Sequence, residues 1–464
     1  MKLRITVLIL IFLFCEELFS QKIITIDEAI KIGIKNNSEL KQAQLDIDKA
    51  NAQVSEVFGV ALPSIDLNAN YSHAFKMQIV PIDFQAMLNN VVYGILFQDS
   101  VLPYDKSKFL TGNNFMSMMQ PNNFQAQLQL TQILFNSAVF TGIGVSKDYL
   151  NISKAQYNSK LCDVIMNIKN AFYGVLYTKE LLEIINVSYK NAQDNLANVT
   201  ALSREGLVSE FTLLDATVRV ENIKPQIKQL ENIVLNATDG LKLLLNIPLR
   251  EQIIVDGKII YQEENFDNIE KFITKAKENN LNIQMLEKAI NINNALIEVS
   301  ESDYYPTLAG FANYGINGMS DKLFSNFTTY PTSMIGISLS INLFKGMQTK
   351  YKVQQSKLDL IKTEEQITTV KDAIEMQVKV NINELNRIKE DIKAQERNVN
   401  VAERVYQLST IRFKEGTGNQ LEILNSDVAL KQAKTNLLES VYNYTISKVK
   451  LDNLLGSVSS DWMK

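Results

Sequence analysis

Two long stretches of this chain repeat one another, and no other feature limits its fold so sharply. Residues Thr200 to Asn246 align without a gap to Thr410 to Gly456, pairing Glu205-Gly206 with Glu415-Gly416, Leu214 with Leu424, Val218 with Val428, and Leu241, Leu244 and Leu245 with Leu451, Leu454 and Leu455. Upstream, Asn36-Asn37 and Leu62-Pro63-Ser64-Ile65 pair with Asn279-Asn280 and Tyr305-Pro306-Thr307-Leu308, and Phe124 to Asn136 pairs with Ser333 to Lys345. A period of roughly 210 to 240 residues lies far beyond the roughly 20 to 50 of solenoid repeats, so the halves are two copies of one architectural unit. That overrides the three or so domains that length alone gives at roughly 150 residues each. The expected division is an export signal over 1–20, a first copy over 21–250 and a second over 262–456.

Within each copy the apolar periodicity changes character. Ile65, Leu67, Ala69 and Tyr71 alternate with Asp66, Asn68, Asn70 and Ser72, and Phe124, Ala126, Leu128 and Leu130 with Gln125, Gln127 and Gln129. A period of two with one apolar side predicts half-polar strands, at about 64–75, 124–135, 307–317 and 333–344. His73, the single histidine, is assigned to the polar side as a solvated strand residue.

From Met347 to Glu415 there is neither Gly nor Pro, and Ile367, Val370, Ile374, Val378, Ile382, Leu385, Ile388 and Ile392 recur in helical steps. The first copy carries Val164, Ile168, Ala171, Val175, Leu182 and Ile185 in the same rhythm. These predict long helices over 137–204 and 346–414, the second on the order of 100 Å long at about 1.5 Å per residue. Gly206 and Gly416 then supply the left-handed residue that closes a helix, and return helices follow over about 209–245 and 419–455. Pro225 inside the first return helix predicts a kink near Lys224, since it removes an N–H and clashes with the preceding turn. Thr25 with Glu28 has the spacing of a capping box.

Lys2 and Arg4 followed by an apolar run from Ile5 to Cys15 read as a secretory signal cut near Ser20. Its removal leaves Cys162 alone, which excludes a disulfide framework. A net charge of −4 gives no basic footprint for nucleic acid. With no phosphate-cradling loop, metal-spaced cluster or nucleophile elbow, no catalytic residue, cofactor or metal is expected.

Four strands of membrane-spanning length cannot close a barrel, which needs at least about eight. Open edges are not tolerated in lipid, so strands placed in a membrane require several chains. A soluble periplasmic coiled-coil scaffold is the alternative, a membrane-associated enzyme a third class, and a relative without a transport partner a fourth.

The order of these elements resembles that of the TolC-like outer membrane efflux proteins over about residues 22–456: a strand ending in Leu134-Phe135-Asn136 or Leu343-Phe344-Lys345, a very long helix, a Glu-Gly-Leu or Glu-Gly-Thr turn, and a return helix closing on Leu244-Leu245-Asn246 or Leu454-Leu455-Gly456. The resemblance implies a mainly α fold with β, four strands per protomer contributing to a trimeric transmembrane β-barrel continuous with a long α-helical periplasmic barrel. It implies a homotrimer in outer membrane lipid, working with a periplasmic adaptor and an inner-membrane transporter as a passive conduit to the exterior.

The resemblance also implies two sites. The family's Val-Gly-Leu and Val-Gly-Thr tips, which dock the adaptor, correspond to Glu205-Gly206-Leu207 and Glu415-Gly416-Thr417, with Glu standing in place of Val. Its channel constriction, two acidic residues three apart, falls on Glu422 and Asn425, of which only one is acidic, and the first copy aligns Thr212 and Asp215 there. Three Glu422 carboxylates ~7 Å apart would repel by roughly 0.6 kcal/mol per pair in water. The copies differ most between their strands: a Met-containing insertion from Phe75 to Asn123, with Met77, Met87, Met116, Met118 and Met119, is expected as an external loop or partial lid.

Overall fold

A computed structural model describes residues 22–77, 83–109 and 120–457; the expected export signal and Met116, Met118 and Met119 lie outside the described residues. Each copy begins with a pair of short helices. In the first, β1 (Lys22–Ile24) leads into α1 (Ile26–Asn36) and α2 (Ser38–Gly59), followed by β2 (Ser64–His73). The insertion contains α3 (Phe84–Gln98), after which come β3 (Asn122–Phe135), the 68-residue α4 (Ser137–Arg204) and α5 (Glu210–Leu244). A short β4 (Ile253–Val255) joins the copies. The second comprises α6 (Ile269–Asn279), α7 (Leu281–Glu301), β5 (Thr307–Ser320), β6 (Thr328–Ser340), the 67-residue α8 (Gln348–Lys414) and α9 (Gln420–Leu454).

Compactness divides the chain differently from the repeat. One unit, a helical body, holds residues up to 52, 147–294 and from 357; the other, a sheet unit, holds 53–146 and 295–356. The divisions fall inside α2, α4, α7 and α8, so both copies contribute to both units.

In the helical body each copy builds its own core. Ile24, Ile30, Leu40, Ile165, Ile168, Phe172, Leu241 and Leu245 form one cluster, and Ile283, Ile374, Val378, Ile382, Leu385, Ile388, Ile392, Leu451 and Leu455 the other. The stripe along α8 is what keeps so long a helix in place. Val378, Ile382, Leu385 and Ile392 are fully buried, and each such side chain contributes roughly 1.5–3 kcal/mol when removed from water.

The doubled Asn-Asn is explained at the helix junctions. Asn37 Oδ1 accepts from the backbone N–H of Glu39 at 2.8 Å and of Leu40 at 3.2 Å, and Asn280 Oδ1 accepts from Asn282 at 3.0 Å and Ile283 at 3.4 Å. One side chain thus starts the second helix where the first has just ended. The return helices stop against these junctions, with Asn246 (φ 52°) and Gly456 (φ 65°) in the left-handed conformation. Asn246 Nδ2 donates to the carbonyl of Asn36 at 3.3 Å, while a Cβ on Gly456 would lie 2.7 Å from the carbonyl oxygen of Asn279. The capping box at Thr25 and Glu28 is present. Helix α5 is continuous through Pro225. The parallel pairing of β1 with β4 has no counterpart in the sequence reading.

Candidate functional site

The sheet unit contains a four-stranded antiparallel sheet in the order β2-β3-β5-β6. Its register puts Ile65, Leu130, Ala312 and Ile335 in one row, Leu67, Leu128, Tyr314 and Ser333 in the next, and Tyr71, Phe124, Gly318 and Thr329 in a third. The alternate rows carry Asp66, Gln129 and Asn313, then Asn68 and Gln127, then Asn70, Gln125 and Asn317. One face is therefore apolar and the other is lined with amides. Asp66 is the only acidic residue in these strands, and none holds Lys or Arg.

Among the described residues the apolar face has no cover: Leu67 is 73% exposed, Ile335 85% and Ile337 70%. Neither outer edge, β2 or β6, has a strand partner among the described residues. Aromatic rings collect at both ends. Tyr71 stacks on Phe324 at 4.4 Å and Phe124 meets Phe327 at 6.2 Å, while Phe135 meets Phe140 at 6.3 Å at the opposite end. From Phe124 to Phe135 an extended strand rises roughly 36 Å at ~3.3 Å per residue. Tilted by ~45°, that gives about 25 Å, the height of the apolar band on a membrane barrel.

His73 corrects the sequence assignment. Lying two residues after Tyr71, it shares the apolar side, where both Tyr71 Oη (2.7 Å) and His73 Nδ1 (2.8 Å) meet Asn122 Oδ1. It is exposed, as expected of a strand-end residue. The insertion also differs from a plain loop. Asp83 caps α3, and Tyr93 is buried against Phe109 and donates to the carbonyl of Pro103 at 2.9 Å.

In the helical body the two Glu-Gly turns have the same construction. Gly206 (φ 71°) donates its N–H to Ser203 O and Leu207 donates to Leu202 O; Gly416 (φ 72°) donates to Phe413 O and Thr417 to Arg412 O. Ser209 and Asn419 then cap α5 and α9, accepting from the N–H of Thr212 and Glu422. A Cβ on either glycine would meet nothing within 4 Å. The glycines are there for the backbone, since the left-handed conformation costs other residues roughly 1–2 kcal/mol. All six candidate docking residues, Glu205, Gly206, Leu207, Glu415, Gly416 and Thr417, are exposed.

The candidate constriction residues occupy different surroundings in the two copies. Glu422 Oε2 lies 3.2 Å from Arg412 Nη1, and the same guanidinium donates to the Thr417 carbonyl. Asn425 is exposed. In the first copy, Thr212 meets the Ser209 hydroxyl at 2.9 Å and Asp215 Oδ2 lies 3.6 Å from Arg219 Nε. The alignment contains a signal for both pairs. Where the second copy has Arg412 and Glu422 the first has Leu202 and Thr212, and where the first has Asp215 and Arg219 the second has Asn425 and Ala429. Each charge is lost together with its partner.

A further site binds the hairpins to each other. Asp427 on α9 accepts from Ser188 Oγ at 2.7 Å and Asn191 Nδ2 at 3.0 Å, both on α4. It borders a cleft of about 350 Å³ that also exposes Asp215, Arg219 and Tyr406. Burial, reinforced by the nearby Asp427 charge, pushes the Tyr406 phenol above its ordinary range. Thr217 stands in the first copy where Asp427 stands in the second, so this tie too exists once per chain.

Known proteins share this architecture. The family model for outer membrane efflux proteins matches residues 272–457. Outer membrane protein TolC of Salmonella enteritidis is 20% identical over 433 residues, covering 91% of this chain and 80% of the relative. The Campylobacter jejuni CmeC outer membrane channel superposes with a TM-score of 0.70 at 17% identity, over 93% of this chain and 85% of that one. The Neisseria gonorrhoeae MtrE outer membrane channel does so with a TM-score of 0.69 at 15% identity, over 93% and 88%.

Proposed function

We propose that the chain is a TolC-like outer membrane efflux protein, three copies of which assemble into a passive duct that carries substrates from the periplasm to the exterior. The sheet carries this reading: it has an uncovered apolar face, an amide-lined face and two open edges. In lipid each unpaired backbone group on those edges costs several kcal/mol. Three sheets joined edge to edge give twelve strands, remove every edge, turn the apolar faces to lipid and the amides to a water-filled lumen. A soluble scaffold would leave the same apolar rows in water.

The helical body extends into the periplasm, where a periplasmic adaptor and an inner-membrane transporter deliver the substrate. The two turns, at Glu205-Gly206-Leu207 and Glu415-Gly416-Thr417, are the docking points, and the trimer offers six of them. Glu422 with Asn425, and Thr212 with Asp215, border the periplasmic constriction; the pairing of Glu422 with Arg412 and of Asp215 with Arg219 tempers repulsion between protomers. The insertion carrying α3 lies at the outward end of the barrel. No residue is assigned a catalytic role.

The test is fractionation followed by planar-bilayer recording. Heat-modifiable trimers in the outer membrane that insert with discrete conductance steps support the duct. A product found wholly in the soluble periplasm defeats it.

A further inference from the structure

The duplication reveals which helix faces lack a neighbour, because each face in one copy can be compared with its equivalent in the other. Within a chain α4 lies against α9: Ser188 and Asn191 bond Asp427, and Tyr177 stacks on Tyr442 at 4.6 Å. This joint is covered. Ser188 is buried, Asn195 is 8% exposed and Leu424 6%. The alignment of Thr200 with Thr410, continued upstream without a gap, carries Ser188, Asn191 and Asn195 onto Asn398, Val401 and Val405 of α8. On the other side of the joint, Leu424 and Asp427 correspond to Leu214 and Thr217 of α5. These equivalents are open: Val405 is 47% exposed and Leu214 56%, and Asn398, Val401 and the adjoining Leu408 are exposed as well. One joint is thus made inside the chain, while the two faces of its counterpart stand uncovered.

We infer that α8 of one chain lies against α5 of a second copy through these faces, so that the helical ring holds two kinds of joint, polar within a chain and apolar between chains. The inference rests on the trimer proposed above. Inside a chain the long helix of the first copy meets the return helix of the second; the pair left over is the long helix of the second copy and the return helix of the first. Such a head-to-tail contact, repeated from chain to chain, closes into a ring with no free face. The chemistry of the two joints differs. Thr217 replaces Asp427, and Val401 and Val405 replace Asn191 and Asn195, so the second joint has no buried charge to satisfy. Val401, Val405 and Leu408 follow steps of four and three, the spacing of a seam between packed helices, and Leu214 is the apolar residue that meets them. Arg397, Asn400 and Arg404, the exposed positions alongside, are polar. The apolar residues are therefore confined to the one stripe that the duplication assigns to a neighbour.

The experiment uses the full-length trimer in isolated outer membranes, where the native Cys162 is buried and gives little background. Chains carrying Asn398→Cys and chains carrying Thr217→Cys, expressed together, should join under mild oxidation or with the shortest thiol-to-thiol linker, because their counterparts Ser188 and Asp427 stand 2.7 Å apart. Both substitutions in one chain should give a covalent ring of three chains, and neither alone should link. Val405→Asp sets an unpaired carboxylate in the joint, and its trimers should dissociate in heated detergent at least about tenfold faster than the wild type. Asn400→Asp, on the surface alongside, should dissociate at the wild-type rate. If trimers are intact but Asn398→Cys and Thr217→Cys chains never link, the joint is overturned and the trimer stands. Wild-type dissociation of Val405→Asp also overturns it, as does ready labelling of Val405→Cys by a bulky maleimide in the assembled trimer, since that face is then open to some other partner. A wild-type protein that yields no trimer removes the trimer and the joint together.

Discussion

Replacing Asp427 by Ala should loosen the two hairpins of each chain without unfolding either. The carboxylate receives hydrogen bonds from Ser188 at 2.7 Å and Asn191 at 3.0 Å. Bonds to a charged acceptor contribute about 1.5–3 kcal/mol each, but Asp427 is half-exposed, so solvent screening reduces the pair to about 2–4 kcal/mol in all. Ser188 is buried and loses its partner outright. At about 1.4 kcal/mol per tenfold, local opening should rise roughly 30- to 700-fold. Hydrogen exchange reads this directly: amides of α4 near Asn191 and of α9 near Asp427 should lose protection, while those around Ile382 in the core remain unchanged. Asp427→Asn should be far milder, because its carbonyl still accepts one bond and the Ser188 hydroxyl can turn to accept from the amide. Protection in Asp427→Ala equal to that of the wild type would refute the claim that this contact holds the hairpins together.

Three other outcomes follow from the same contacts. Ile337→Lys places a charge on the apolar face of β6, at a depth where a barrel loses roughly 2–4 kcal/mol; outer-membrane trimer yield should drop sharply, whereas Thr332→Lys on the amide face should assemble. Glu375 is bonded by Lys277 at 2.5 Å and Lys379 at 2.6 Å, which pull its carboxyl down to about 2. A depressed carboxyl stabilises above the unfolded value near ~4.3 and loses that contribution as pH falls toward about 2. Wild type should therefore melt above Glu375→Gln at pH 7, and the two curves should converge near pH 2; a difference that persists there would contradict the pairing. Finally, Gly206→Trp with Gly416→Trp should leave trimers in the outer membrane, because a side chain has open space at both sites and the left-handed backbone costs only roughly 1–2 kcal/mol at each, yet abolish adaptor cross-linking.

The fold was legible wherever a long-range pattern repeats. The spacing of Ile374, Val378, Ile382 and Leu385 could only be a helix packed on one side, and those residues form its buried stripe. The turns were legible because Gly206 and Gly416 follow long runs of helix and stand at equivalent places. What escaped was local or three-dimensional. The pairing of β1 with β4 joins two segments of three residues each, too short to show alternation. Helix α3 was hidden in a segment notable for Met and Asn, though its apolar residues Phe84, Met87, Leu88, Val91 and Ile95 already follow helical spacing.

At the site, Glu422 was legible as an acidic residue following the turn, but its partner Arg412 lies across that turn and belongs to another helix. Comparing the copies would have revealed it, since both members of the pair are absent from the first. The Asp427 tie depends on how α4 and α9 approach, which no spacing within one helix encodes.

The central claim is that three of these sheets close into one barrel. A native mass measured on the protein extracted from outer membranes tests it most directly. Three chains per particle, stable until heated in detergent, is the predicted result. A single chain, or a dimer with eight strands in place of twelve, would contradict it.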